Sequence, residues 1–286
     1  MFHVKPMKKY NKYYCTAKDR LVSGELFSVY FNNNRTIAKT KVDRSEDMYR
    51  FYKSNQYHSH QETTKTFTDK IYFISRRIML YFKYRLIKSK TANLKLLDYG
   101  CGNGSFLKYL NDRKINTTGV EKSLVSQKVC RAKGVNVFSS IKDINQSKYN
   151  IITMWHVLEH VSNPSKCISA LSKLLSIGGS LVIAIPNIQS IDSQVFKSEW
   201  AALDVPRHLW HFTTKGLIDL LQKQNFILYN KRSLFLDAYY ISLLSARRKK
   251  IIFPWIIAIF VGTVSNIFGL FTGNCSSSVF VFKKRN

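Results

Sequence analysis

The chain has 286 residues, 45% of them hydrophobic, so it is long enough for one large domain or a domain with an appendage, and too apolar to be disordered. Its 45 Lys and Arg against 17 Asp and Glu give a formal charge of +28, a balance that favours nucleic acid or an anionic membrane surface as partner. The basic residues are spread along the chain rather than gathered in one stripe. A composition rich in lysine, asparagine, isoleucine and tyrosine, of the kind an AT-rich genome encodes, accounts for them more simply. Cys15, Cys101, Cys130, Cys167 and Cys275 form no C-x-x-C pair, which excludes a disulfide framework and predicts reduced thiols in a cytoplasmic protein. Met1 to Pro6 contain no apolar run, so no secretory signal is expected.

Residues 1–62 are polar, tyrosine-rich and weakly periodic, with alternation on both sides of Ser23-Gly24 that predicts a hairpin. From Thr63 to Lys90 the apolar positions take helical spacing, with basic residues between them. Leu96-Leu97-Asp98-Tyr99 then reads as a buried strand entering Gly100-Cys101-Gly102-Asn103-Gly104, and Ser105 to Leu110 as the helix that follows. A loop with glycine at alternate positions turns sharply and lets a ligand approach the backbone. The free N–H groups of the helix start suit an anionic group. A dinucleotide fingerprint would need glycine where Ser105 stands, and a P-loop would need a following Gly-Lys-Ser/Thr, so neither applies.

Ile115 to Glu121 predicts a second strand, and its terminal acid falls where a nucleoside site takes a carboxylate for the ribose hydroxyls. Ser123–Lys133 (helix), Val135–Ser139 (strand), Tyr149–Met154 (strand), a helix from Pro164, a turn at Gly178-Gly179 and the strand Leu181–Ile185 follow. This alternation predicts an α/β fold with a doubly wound, Rossmann-like parallel sheet. Phe226–Phe235 and Ser276–Phe282 complete it as strands six and seven.

Asp-x-Gly-x-Gly-x-Gly at Asp98–Gly104, His-Val-Leu-Glu-His-Val at His156–Val161, and Leu-Leu-x-x-Gly-Gly with Pro186-Asn187 stand in the order that resembles class I S-adenosylmethionine (SAM) methyltransferases of the UbiE/UbiG-like branch. The resemblance covers about residues 94–230 and implies a seven-stranded methyltransferase domain over 63–286. It also implies SAM as cofactor, bound at Asp98, Gly100, Cys101, Gly102, Gly104, Glu121, Trp155 and His156, and a small or lipophilic methyl acceptor. Asp204 to Phe212 and Leu236 to Leu244 are similar to segments of Bacteroidetes-type methyltransferases whose N-terminus resembles a zinc ribbon. Here Cys15 is the only cysteine before Cys101, so residues 1–62 resemble such a ribbon with its zinc site lost.

Where the acceptor is a hydroxyl a base is useful, and His156, His160, His208 and His211 are the candidates, with Arg207 as a cation for an anionic acceptor group. The spacing of His156, Glu159 and His160 puts them on one face if the segment is helical. A related E-x-x-E-H arrangement carries metal in some RNA 3′-end methyltransferases. The preferred expectation is that Glu159 and His160 hold the loop by hydrogen bonds, and no metal ligand is assigned. An RNA methyltransferase and a catalytically degenerate SAM-binding protein remain the alternatives. Finally, Ile251–Phe271 is charge-free and long enough to span a bilayer, but it sits between two strands of one sheet. It is expected to form a helical insertion, about 247–272, that is buried or touches a membrane surface peripherally.

Overall fold

The computed structural model describes residues 9–42, 45–52, 67–88, 94–144 and 148–285. Three antiparallel strands come first: β1 (Tyr10–Lys18), β2 (Leu26–Asn32) and β3 (Ile37–Thr40). The hairpin at Ser23-Gly24 is present. Asp19 builds its turn, accepting backbone N–H groups from Leu21 at 3.0 Å and Ser23 at 2.9 Å, the local bonding that makes Asp a turn residue. Helix α1 (Phe67–Ile87) lies within the expected 63–90 helix; Thr63–Thr66 and Ser89-Lys90 lie outside the described residues.

The alternating elements then run β4 (Lys95–Tyr99), α2 (Ser105–Asn111), β5 (Asn116–Val120), α3 (Leu124–Ala132), β6 (Val137–Phe138), β7 (Tyr149–Trp155), α4 (Pro164–Leu174), β8 (Leu175–Pro186) and α5 (Ile191–Phe196). Caps explain where the helices start: Ser123 accepts from Ser126 N–H, and Asn163 accepts from Lys166 N–H with Pro164 at the first turn. The expected Gly178-Gly179 turn sits inside β8. Leu175 and Ser180 pair with Tyr149 and Ile151, so the four residues between them bulge outward and leave Ile177 exposed. The chain closes with β9 (Trp210–Phe212), α6 (Thr214–Gln222), β10 (Phe226–Ser233), α7 (Phe235–Arg248), α8 (Pro254–Thr272) and β11 (Ser277–Lys284).

Seven strands form one sheet in the order β10-β11-β8-β7-β4-β5-β6, in which β11 is antiparallel to both neighbours and β4–β8 run parallel. Both faces are covered, which is why its central strands read as unbroken apolar runs. Leu97, Ile152, Leu181 and Ile183 pack toward α4 and α6. Their neighbours Leu96, Ile151, Val182 and Ala184 pack toward α1, α2 and α3. The fold is therefore the expected doubly wound sheet with an N-terminal appendage and a helical insertion before its last strand.

The appendage is completed from far along the chain. Strand β9 pairs with β3 to make a second sheet, β1-β2-β3-β9, which no periodicity foretold. A third apolar cluster, with Phe27, Phe51, Trp200 and Ile241 among its members, joins that sheet to α7 and α8. The residues just before β9 are thus clamped between both parts of the molecule.

Candidate active site

The glycine loop leaves β4 and is tied to the end of β5, where Val120 O accepts from Gly100 N–H at 2.7 Å and Cys101 N–H at 3.1 Å. Gly100 has φ +77°, and a Cβ there would lie 2.5 Å from the Val157 side chain, so the first glycine is needed for packing. Gly102 differs. At φ +56° it has nothing within 4 Å of where a Cβ would stand, so the loop opens a cradle at that point. Gly104 caps α2, and Cys101 turns its sulfur toward Gly119 and Cys130, which leaves its backbone as the part available to a ligand.

Glu121 closes the loop from the other side. Its two oxygens accept from Gly102 N–H at 2.9 Å and Ser123 N–H at 2.8 Å, which leaves lone pairs for further donors. Asp98 lies beneath, buried, with Thr153 Oγ1 donating to it at 2.6 Å. Burial raises its carboxyl to about 6, against the pull of Thr153 and Lys83. Trp155, at the end of β7, stacks edge-on to Phe106, and its buried Nε1–H has no partner among the described residues. Lys83 of α1 reaches over the Trp155 ring at 4.4 Å, its ammonium pushed down by burial against the attraction of Asp98 and Asp237. An open backbone cradle, a carboxylate with spare lone pairs and an orphaned indole donor are groups that a nucleoside carrying an amino-acid tail would satisfy.

The second half of the site follows β7. The stretch 156–160 is a turn rather than a helix, and it opens with His156 at φ +55°. The turn nevertheless brings His156 Nδ1 to 3.6 Å from Glu159 Oε1, while His156 Nε2 lies 3.4 Å from Asp237 of α7. Burial works against the charged imidazole, but Asp237 and Glu159 outweigh it and lift His156 to about 9. It is therefore a cation at neutral pH and cannot serve there as the proton acceptor.

Glu159 is fully buried, and neither oxygen has a hydrogen-bond partner among the described residues. Glu159 does tie the loop by hydrogen bonds, but through its backbone carbonyl, which accepts from Leu209 and Trp210 N–H at 2.9 and 3.1 Å. Burial would raise its carboxyl, yet His156 and then His208 hold it at about 2, so it is ionised. His160 Nδ1 lies 3.0 Å from Arg207 O, and His208 Nδ1 lies 2.8 Å from Ala202 O. A carbonyl only accepts, so each Nδ1 carries a proton, and Nε2 is the atom each ring leaves for other partners. The two rings meet edge to face with centroids 4.5 Å apart, and His208 Nε2 lies 4.0 Å from Glu159 Oε1. Burial and the neighbouring His208 push His160 down to about 4. Glu159, His160 and His208 each present one ligand atom within 4.8 Å of the others.

Two further candidates are structural. Thr40 Oγ1 gives its only proton to His208 O, so His211 Nε2 must donate to Thr40 at 2.9 Å. Burial holds His211 near 3 and its ring is committed to the β3–β9 sheet. Arg207 is 1% exposed and paired with Asp19 at 3.0 Å and Asp204 at 2.7 Å, so it clamps the hairpin turn to the His208 loop and cannot receive an acceptor group. Lys83 and Asp237 are the site residues that sequence periodicity did not single out. Each sits on a helix as one polar position among many, and only the packing of α1 and α7 over β7 turns it inward.

A glycine loop on β4, an acid closing it from β5 and a histidine–carboxylate cluster after β7 define a class I methyltransferase site at the carboxyl edge of a doubly wound sheet. The chain matches the family model for a methyltransferase domain over residues 67–230, more than half its length, and it belongs to that family. The ubiquinone biosynthesis O-methyltransferase of Pelagibacter ubique is 28% identical over 171 residues, which is 54% of this chain and 71% of that relative. That of Idiomarina loihiensis is 27% identical over 103 residues, so the chain spans only 42% of the latter's length. Among solved structures, the StiE O-MT superposes with a TM-score of 0.53 at 15% identity, covering 78% of each chain. A SAM dependent methyltransferase from Archaeoglobus fulgidus gives 0.50 at 18% identity, over 74% of this chain and 99% of its own. The chain therefore carries a methyltransferase domain, and the donor cradle just described fits SAM as its cofactor.

Proposed function

We propose that this enzyme methylates an oxygen of a small or lipophilic acceptor, akin to the quinone-modifying branch of the family. The observation that carries the reading is the ionised, buried Glu159, whose oxygens have no hydrogen-bond partner among the described residues, lying 4.0 Å from Nε2 of His208. A hydroxyl is a weak nucleophile until it loses its proton, and a histidine backed by a carboxylate takes one. The relatives named as ubiquinone biosynthesis O-methyltransferases support the same choice.

SAM, when bound, would supply an electrophilic methyl on a sulfonium, so that an acceptor oxygen gains a C–O bond as the C–S electron pair stays with sulfur. The protein aligns the partners and keeps water away. The Gly102 cradle and Glu121 would hold the nucleoside, and Trp155 Nε1–H with the Lys83 ammonium would meet the amino-acid tail. The hydroxyl proton passes to His208 Nε2, where Glu159 stabilises the imidazolium and Ala202 O fixes the ring. Asp237 of α7 holds the charged His156 by Nε2, and His156 in turn pairs with Glu159 by Nδ1.

A second reading is favoured by the same atoms. Metal-bound histidines usually donate their other N–H to a carbonyl or carboxylate, as His160 and His208 both do. Glu159, His160 and His208 would hold a divalent cation, which would supply a Lewis acid that acidifies the acceptor hydroxyl. Chelation decides: activity unchanged in chelator supports His208 as base, while loss restored by a divalent ion supports the cation.

Methyl-labelled SAM offered separately with lipophilic phenols, RNA and polar metabolites tests the function. Label is expected as a phenolic ether. Label in RNA alone would overturn the reading, and SAM binding without turnover on any extract would mark a degenerate binding protein.

A further inference from the structure

Helix α8 is inside out. Its buried positions are Ala258, Val261, Gly262, Ser265, Asn266 and Gly269, spaced three and four apart on one face. That face is small and polar, and it is satisfied by the protein: Ser265 Oγ donates to Asp192 at 2.6 Å and Asn266 Nδ2 donates to Phe235 O at 3.0 Å. Gly262 meets Tyr239 of α7 so closely that a Cβ would lie 2.6 Å from its ring. The large apolar side chains are turned away from the protein instead. Phe253, Trp255, Phe260 and Phe271 are all more than half exposed, with Ile252 at 85% and Phe271 at 87%. A helix of a water-facing surface has the reverse pattern; small residues against protein and large apolar ones outward is the arrangement of helices bathed in lipid.

The helix does not cross a bilayer, although its length and composition would allow it. The strands before and after the α7–α8 hairpin, β10 and β11, pair from Phe226↔Lys284 to Ser233↔Ser278 in the same sheet. Ser265 is anchored on Asp192, which also accepts from Trp200 Nε1 and Ser276 Oγ, so the inner face cannot leave the protein without orphaning a buried carboxylate. Only the outer face is free to enter an apolar phase.

The charge around that face names the phase. Arg247, Arg248, Lys249 and Lys250 stand at the junction of α7 and α8, directly before Ile252 and Phe253, and no Asp or Glu follows Asp237. An apolar strip edged by cations, with tryptophan and phenylalanine at its start, matches the interface of an anionic phospholipid bilayer. We infer that the outer face of α8, with Arg247 and Lys250, docks this enzyme onto an anionic membrane, in the plane of the interface. Helix α7 carries Asp237 to His156, so the docked surface and the methyl-transfer site share one helix. The inference goes beyond the acceptor reading, because its test is binding and needs no turnover.

The test is flotation of the full chain with vesicles of phosphatidylcholine alone or with phosphatidylglycerol added. Wild type should float with the anionic vesicles and be released by high salt, and carbonate should strip it. Phe260→Glu with Phe271→Glu should abolish flotation, while Arg247→Glu with Lys250→Glu should weaken it on the order of tenfold on anionic vesicles only. Unchanged SAM affinity in each variant shows that the fold is intact. Equal flotation of wild type and the double glutamate variant would overturn the inference, as would equal binding to both vesicle types. Resistance to carbonate would replace it with a span. Failure to float, with sedimentation showing dimers that Phe260→Glu disperses, would assign the face to a second copy of the chain.

Discussion

The two halves of the active site are built differently. The donor half, from Asp98 to Glu121, comes from one strand–loop–helix–strand unit, and most of its work is done by backbone: positive φ at Gly100 and Gly102, and N–H groups aimed at Glu121. The acceptor half joins a turn after β7, a loop before β9 and the first turn of α7, held by side chains and by carbonyls of remote residues. Local geometry therefore secures the cofactor, while tertiary packing secures the chemistry. Damage to the second half should spare binding and damage turnover, and damage to the first should do the reverse.

The largest expected separation is at His208. His208→Ala should lower turnover by about 10²–10⁴-fold, the usual share of a general base, with SAM affinity by calorimetry nearly unchanged; His160→Ala should follow the same direction. Equal losses in both measurements would break the division into halves. Next comes Arg207. Arg207→Met leaves Asp19 and Asp204 without their buried cation, and breaking such a pair costs about 3–5 kcal/mol. Denaturant midpoints should fall accordingly, and turnover should fall because the His208 loop loses its clamp to β1–β2. A stable variant with impaired acceptor KM would instead make Arg207 a ligand for the acceptor.

Asp98 tests the donor half from the stability side. Its carboxyl titrates near 6 when folded against 3.8 ordinarily. Between those values the folded state holds more protons than the unfolded one, so stability falls as pH rises from about 4 to about 6 and stays lower above. Asp98→Asn should therefore stabilise the ligand-free protein at pH 7 by about 3 kcal/mol, raise its Tm and weaken SAM binding. A lower Tm would show that Asp98 supports the fold rather than the ligand. The smallest effect is at Glu121: Glu121→Ala should cost SAM on the order of 1.5–3 kcal/mol of affinity, read by calorimetry, with kcat little changed once SAM saturates.

How much of this was legible in the sequence follows the same division. Asp98, the glycines and Glu121 are close in sequence because one βαβ unit makes them close in space, and glycine spacing records backbone geometry directly. The sheet was legible for the same reason, since strands buried on both faces are apolar throughout. The role of Arg207 was not. An arginine beside an aspartate looks like a surface pair until β1–β2 folds Asp19 onto it from 188 residues away. Whether 156–160 is helix or turn stayed open because i, i+3, i+4 spacing suits both, and His156 at positive φ makes it a turn. Periodicity marks neither Asp237 nor Lys83 as a site residue; their roles exist only once α7 and α1 pack over β7. In α8 the apolar run was plain, but which face looked outward was not, because small buried residues leave no hydropathy signal.

The pairing of β3 with β9 also has a consequence for biosynthesis. Strands β1–β3 are made first, yet β3 keeps an open edge until Trp210–Phe212 has been synthesised, a delay of roughly 10–40 s at ordinary translation speeds. Ile37–Thr40 would meanwhile offer free backbone groups to any neighbouring chain, the hazard of every unpaired edge. Nascent chains halted before residue 210 should therefore be cleaved within β1–β3 by limited proteolysis, and chains extended past β9 should resist. The strand that seals this edge directly follows the His208 loop, so the nascent chain closes its most vulnerable seam and sets His208 in place in the same step.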